Sequence, residues 1–147
     1  LVYDINGKAK PNKIGKDVYT LNANIFNSCS GIKIGSLCVS SSNVSYSPID
    51  TCNGNTEYDD TGTSNSYCAT NYWAGAKKAC AEQGMRLPTQ SELFSLQGDP
   101  ATQAGISGTF WSSEQYDAIY AYRVNLPDSS SHDHYYKSNA DSGRCVK

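Results

Sequence analysis

The residues best equipped for chemistry in this chain are its six cysteines, its two histidines and a dense run of tyrosines near the C-terminus. The cysteines are Cys29, Cys38, Cys52, Cys68, Cys80 and Cys145. They contain no C-x-x-C pair and have no paired histidines nearby, so the spacing argues against a zinc site. An even number in a Ser-, Asn-, Thr- and Gly-rich chain points instead to three disulfides made in an oxidising compartment. Six cysteines admit more than one connectivity. The sequential set, Cys29–Cys38, Cys52–Cys68 and Cys80–Cys145, is the preferred expectation. His132-Asp133-His134 offers two imidazoles to a metal but no further pair to complete a shell, so two solvated loop histidines is the simpler reading. Asp4, Asn6 and Asp17 could give oxygen ligands to Ca²⁺, although the EF-hand pattern is absent and the same side chains can simply cap turns. No cofactor is required by any motif. With the thiols assigned to disulfides and no Gly-x-Ser-x-Gly elbow, the chain is expected not to be an enzyme.

The remaining candidate is a binding surface between residues 112 and 139. Ser112, Ser113, Gln115, Tyr116, Asp117, Tyr120, Asp128, His132, His134, Tyr135, Tyr136 and Asn139 make up a paratope-like mixture. Tyrosine brings large contact area at low entropic cost, and Ser and Asn adapt their hydrogen bonds to a partner. Eleven tyrosines against three phenylalanines and one methionine fit the same surface-rich usage. A polar loop whose tyrosines pack inward is the competing reading. Tyr122, alternating with Val124 and Leu126, is expected in the core against Trp73 and Trp111 and is left out of the site.

These side chains need elements to hold them. At 147 residues the chain can form one domain, or one with an appended subdomain, and a boundary near residue 66 is expected. Residues 1–26 read as two strands around a loop with an Asn6-Gly7 turn, and four lysines (Lys8, Lys10, Lys13, Lys16) cluster there. Short strands are expected around 31–34 and 36–39, with a long polar loop over 53–66. From residue 70 the pattern changes. Trp73, Ala76 and Cys80 fall at helical spacing before Gly84, and Thr89-Gln90-Ser91-Glu92 is a capping box that opens a second helix with Leu93 and Leu96 on one face. Strands follow over 109–112 and 121–126, and a last strand carries Arg144-Cys145-Val146. The expected class is α+β. A net charge of −2 with 18% charged residues gives no sign of a nucleic-acid partner. No apolar run reaches the ~20 residues of a membrane helix, and the expectation is that an export or anchoring segment precedes Leu1.

The order of motifs over 70–147 resembles the C-type-lectin-like fold. It is more narrowly similar to a bacterial surface-domain family of the domain-of-unknown-function 1566 (Fibrobacter major paralogue) kind. The resemblance rests on Arg86-Leu87-Pro88-Thr89, Glu92-Leu93, Phe110-Trp111-Ser112-Ser113 and Arg144-Cys145-Val146, in order. It implies two helices on short antiparallel strands and a bond between Cys80, late in the first helix, and Cys145 in the final strand. The first twenty-odd residues resemble the pilin-like β segment of type IV pilins through Asp4-Ile5-Asn6-Gly7, Pro11-Asn12, Gly15 and Asp17. Together these imply a minor pilin or surface adhesin on a bacterial cell or pilus, binding a protein or glycan and touching neighbouring pilin subunits, with membrane contact only through a preceding N-terminal helix. The triplets with which lectin-like domains hold sugar through Ca²⁺ are absent; Leu126-Pro127-Asp128 stands alone. Some relatives are diversified by retroelements at codons for residues such as those of 112–139. Two other readings remain: a structural pilus subunit without its own ligand, and an enzyme of the formylglycine-generating type, whose closing strand differs.

Overall fold

The computed structural model describes residues 29–61, 68–129 and 132–147. Leu1–Ser30 and Gly31–Lys147 are separate compact units, and the first lies almost wholly outside the described residues. The expected N-terminal strands and the oxygen set Asp4, Asn6 and Asp17 therefore lie outside them too.

The second unit is α+β. A hairpin of β1 (Ile32–Ile34) and β2 (Leu37–Val39) turns at Gly35, whose φ of 61° suits glycine. Helix α1 (Tyr72–Ala81) starts where the Asn71 side chain accepts from the Ala74 amide at 2.8 Å. It unwinds at Gly84, φ 70°. Helix α2 (Gln90–Ser95) carries the full capping box: Thr89 Oγ1 accepts from the Glu92 amide, and the Glu92 carboxylate accepts from the Thr89 amide. Helix α3 (Asp99–Gln103) follows with Pro100 in its first turn. An antiparallel sheet then runs β3 (Gly108–Gln115), β4 (Tyr120–Leu126), β5 (His132–Tyr136), with a bulge in β3 between Trp111 and Gln115.

Consecutive residues of β3 point to opposite faces, so Phe110 and Trp111 feed two different cores. Phe110, Val124 and Leu126 pack with Leu93 and Leu96 of α2, Ala101 of α3, Ile106, Val39 and Val146. Trp111 and Ala121 pack with Trp73, Ala76 and Cys80 of α1, Leu87 and Cys145. This corrects the expected grouping of Tyr122, Val124 and Leu126 with Trp73 and Trp111. Val124 and Leu126 are buried on the α2 side of the sheet, and the two tryptophans lie on the α1 side.

The C-terminus is a clasp, where a regular strand was expected. Val146 makes single bridges to Val39 and to Arg86 and so joins the hairpin to the segment before α2. Its amide donates to Arg86 O at 2.7 Å, and the Ser40 amide donates to Cys145 O at 2.9 Å. Residues 31–61, which the sequence groups with the N-terminal part, are thereby built into the same unit as 68–147. Cys52 pairs with Cys68 and Cys80 with Cys145; Cys29 and Cys38 are also oxidised, and no free thiol remains. Three disulfides fit an oxidising, extracytoplasmic setting. Among the described residues no helix is long and apolar enough to cross a membrane.

Two predictions belong to this framework. A Cβ on Gly75 of α1 would fall on the Ser47 carbonyl, well inside van der Waals contact. Alanine normally stabilises a helix interior by about 1 kcal/mol over glycine. Here overpacking of about 1–3 kcal/mol should win, and urea unfolding of Gly75→Ala should show net destabilisation. The second concerns Glu92, which receives both Arg86 guanidinium nitrogens at 2.7 and 2.8 Å as well as the capping-box amide. Hydrogen bonding from Arg86, followed by that from Thr89, outweighs burial and lowers its carboxyl from 4.5 to about 2. A depressed folded pKa gives stability that is present above pH 4.5 and lost as pH falls toward 2. Glu92→Gln should thus be about 1 kcal/mol less stable than wild type at pH 7. The two should converge in acid.

Candidate binding face

The geometry of β4 and β5 decides which of the 112–139 side chains can act together. Residues directly opposite across the ladder share a face. Tyr120 faces Tyr136, Tyr122 faces His134 and Val124 faces His132, whereas Ala121 faces Tyr135 and Arg123 faces Asp133. The first set lies on the α2 side of the sheet. Near α2 this face is closed by the core, and His132 meets Phe94 edge-on at 5.2 Å. Toward the β3–β4 turn the covering elements end, and the same face continues as an aromatic cluster.

Tyr116 is the cap of that cluster. Its ring stacks flat on the His134 imidazole, with centroids 3.8 Å apart and planes 4° from parallel. Tyr122 stands edge-on to Tyr116 at 5.6 Å; Tyr120 lies 5.1 Å from His134 and 4.9 Å from Tyr136. Tyr116 remains 50% exposed, so the ring that caps the cluster faces solvent. The turn beneath it is held by Asp117, whose Oδ1 accepts from the amides of Ile119 (2.8 Å) and Tyr120 (2.9 Å). That interaction is an Asx-type turn, so Asp117 sets the geometry of its neighbours.

Several expected site residues are placed elsewhere. Ser112 is fully buried. Its carbonyl accepts from the Trp73 indole at 2.7 Å and its hydroxyl accepts from the Glu114 amide, so it is bound into the core. Ser113 is half-buried, with its amide donating to Pro88 O at 2.7 Å. Tyr135, 38% exposed, points to the other face, where the Arg123 guanidinium lies 3.9 Å above its ring and is held by Asp133 and Asp141. Alternation along β5 separates it from Tyr136, so the tyrosines named for the binding surface do not all share one face. Asn139 donates to Asp141 at 2.7 Å. Asp128 is exposed in the turn after Pro127. Tyr122, expected in the core, is half-buried and belongs to the cluster. Its alternation with Val124 was the correct signal for its face, but that core ends at Val124.

Gln115 leads to a second constellation, which the sequence did not single out. Its side-chain oxygen accepts from Lys137 Nζ at 3.1 Å, and Nζ donates to Asp59 Oδ2 at 2.8 Å. Lys137 is 2% exposed and Asp59 is fully buried. Asn71 Nδ2 reaches the same Asp59 oxygen at 2.8 Å, and Thr61 donates to Asp59 Oδ1. Burial pushes the Asp59 carboxyl up, but the hydrogen bonds from Lys137, Thr61 and Asn71 outweigh it and hold the carboxyl below its ordinary value. A run from Asp59 to Lys137 gives no periodic signal, so only the fold could bring these groups together.

Among the described residues no group of three metal-ligating side chains is placed to hold an ion. The fold and face define an α+β, disulfide-stapled domain with an exposed aromatic surface. No protein-family model matches the chain, and a search of curated proteins finds no match.

Proposed function

We propose that this chain is an extracellular binding domain of C-type-lectin-like character, the kind a minor pilin or surface adhesin displays. It recognises a protein or glycan partner through Tyr116, Tyr120, Tyr122, His134 and Tyr136. The observation that carries this reading is the flat Tyr116–His134 stack, formed between the turn after β3 and strand β5, with Tyr116 half exposed to solvent. Rigid aromatic anchors of this kind dominate binding energies at interfaces because little side-chain entropy remains to be lost. The oxidised cysteines agree with an extracellular site of action, and the motif order over 70–147 supports the lectin-like comparison.

The test is a binding screen of the intact domain against glycan and cell-surface protein arrays, followed by alanine variants. Tyr116→Ala should weaken the selected interaction by about 1 kcal/mol or more. It removes a half-exposed ring with its stack on His134 and its edge contacts to Tyr120 and Tyr122, so stability should fall by about 1–2 kcal/mol. Tyr135→Ala, on the opposite face, should leave affinity unchanged. If no partner is selected, or if Tyr135→Ala and Tyr116→Ala weaken binding equally, the face is not the recognition surface. The structural-subunit reading would then take its place.

A further inference from the structure

The polar constellation beneath Gln115 has the parts of a self-acylating centre. We propose that Lys137 and Asn71 form an intramolecular isopeptide crosslink, with Asp59 as the proton carrier. Lys137 Nζ and Asn71 Nδ2 both touch Asp59 Oδ2, each at 2.8 Å. The nucleophile and the leaving group are therefore joined by a single carboxylate oxygen. All three residues are at least 98% buried, which excludes the water that would compete for an acyl centre.

The electrophile is prepared as well. Asn71 Oδ1 accepts from the Ala74 amide at 2.8 Å, at the N-terminus of the ten-residue helix α1. Negative charge that develops on Oδ1 during attack is met there by an amide donor and the positive end of the helix. Lys137 is anchored at the same place through its backbone. Its carbonyl accepts from the Tyr72 amide at 2.7 Å and the Trp73 amide at 3.2 Å, which brings its side chain beside Asn71. The Trp73 ring, 4.7 Å from Nζ, walls the centre on one side. Burial also lowers the Lys137 ammonium from its ordinary value, which eases loss of its proton. Despite burial, hydrogen bonds hold the Asp59 carboxyl low, so the transfer runs uphill to a transient neutral pair and makes the reaction slow.

The chemistry balances without any added reagent. Asp59 takes a proton from the Lys137 ammonium, and the neutral amine attacks Asn71 Cγ. The Nζ–Cγ bond forms as charge moves to Oδ1. When the carbonyl reforms, the Cγ–Nδ2 bond breaks, and Asp59 returns its proton to the departing nitrogen. A second Nζ proton is also lost to that nitrogen, so the nitrogen leaves as ammonium. The products are a secondary amide between residues 71 and 137 and an ionised Asp59. No oxidant or metal takes part. The bond would fasten the start of α1 to the end of β5 independently of the disulfides.

The experiment is intact-mass analysis of the full chain, reduced and denatured, followed by fragmentation of proteolytic peptides. The expected result is a mass lower than the sequence mass by one ammonia, with a branched peptide joining Asn71 to Lys137. Asp59→Asn and Lys137→Arg should restore the unmodified mass. An unmodified wild-type mass after prolonged incubation of folded protein overturns the proposal, whether or not the variants fold. Loss of one water, mapped to Lys137 and Asp59, overturns the assignment of Asn71 as the acyl donor. Ammonia loss that persists in Lys137→Arg places the reaction elsewhere and overturns it also.

Discussion

Replacing Cys80 and Cys145 together by serine should lower the stability of the domain by about 4 kcal/mol or more. The bond closes 65 residues of chain, and loop-closure entropy alone gives roughly that figure. Both sulfurs are also wholly buried, inside the core formed by Trp73, Ala76, Leu87, Trp111 and Ala121. Two serine hydroxyls there would need partners in an apolar environment, which adds to the loss. For a domain of this size about 1 kcal/mol corresponds to some 2–4 °C, so a fall of roughly 10 °C or more in melting temperature is expected. Cys52–Cys68 makes the contrast. It closes 16 residues, and both cysteines are only half-buried, so its removal should be distinctly milder. Equal losses from the two double variants would mean that neither the longer loop nor the core position of Cys80–Cys145 adds to its effect. Peptide mapping that pairs Cys80 with any other cysteine would remove the basis of the prediction.

Much of this framework was legible because each motif in the second half of the chain does a local physical job. Arg86-Leu87-Pro88-Thr89 with Glu92 reads as a helix start. In the fold Thr89 and Glu92 cap reciprocally, Arg86 pairs with the same carboxylate and Leu87 enters the core. Phe110-Trp111-Ser112 reads as a strand, and its alternation supplies one aromatic residue to each core. These signals are short-range, and short-range patterns survive in a sequence. The binding face was legible in composition but not in membership. Whether Tyr122 is core or surface depends on where α2 stops covering the sheet, and the strand pattern carries no record of that. Ser112 looks like its neighbours in the paratope-like run, yet it is committed to the Trp73 indole because the β3 strand passes over α1. The Asp59–Asn71–Lys137 cluster was invisible for the same reason. Its members come from a polar loop, a helix cap and a strand end, and each taken singly is an ordinary surface residue type.

That cluster also produces the sharpest expected effect of a single substitution. Compared with freshly folded chain that has not yet lost ammonia, Lys137→Met keeps the length and apolar stem of the side chain but leaves the fully buried Asp59 carboxylate without its cation. Removing one member of a buried pair costs about 3–5 kcal/mol, mostly because the remaining charge is stranded. The double variant Lys137→Met/Asp59→Asn should recover part of this. A neutral carboxamide at position 59 can still accept from Thr61, and no buried charge remains. The two losses are therefore non-additive, as contacting residues require. The pH dependence supplies a further check, with a definite sign. The wild-type carboxyl, held below 3.8, gives stability that is present above that pH and lost as pH falls through its lowered folded pKa. Without the lysine only Thr61 and Asn71 oppose burial, so the folded pKa rises relative to wild type and that stability is reduced. The deficit of Lys137→Met relative to wild type should accordingly be largest at neutral pH and shrink in mild acid. Urea unfolding of the wild type, the single and the double variant across that range measures all three terms. A deficit that is independent of pH and unchanged in the double variant would show that lost packing of the lysine stem, and no stranded charge, is what destabilises the domain.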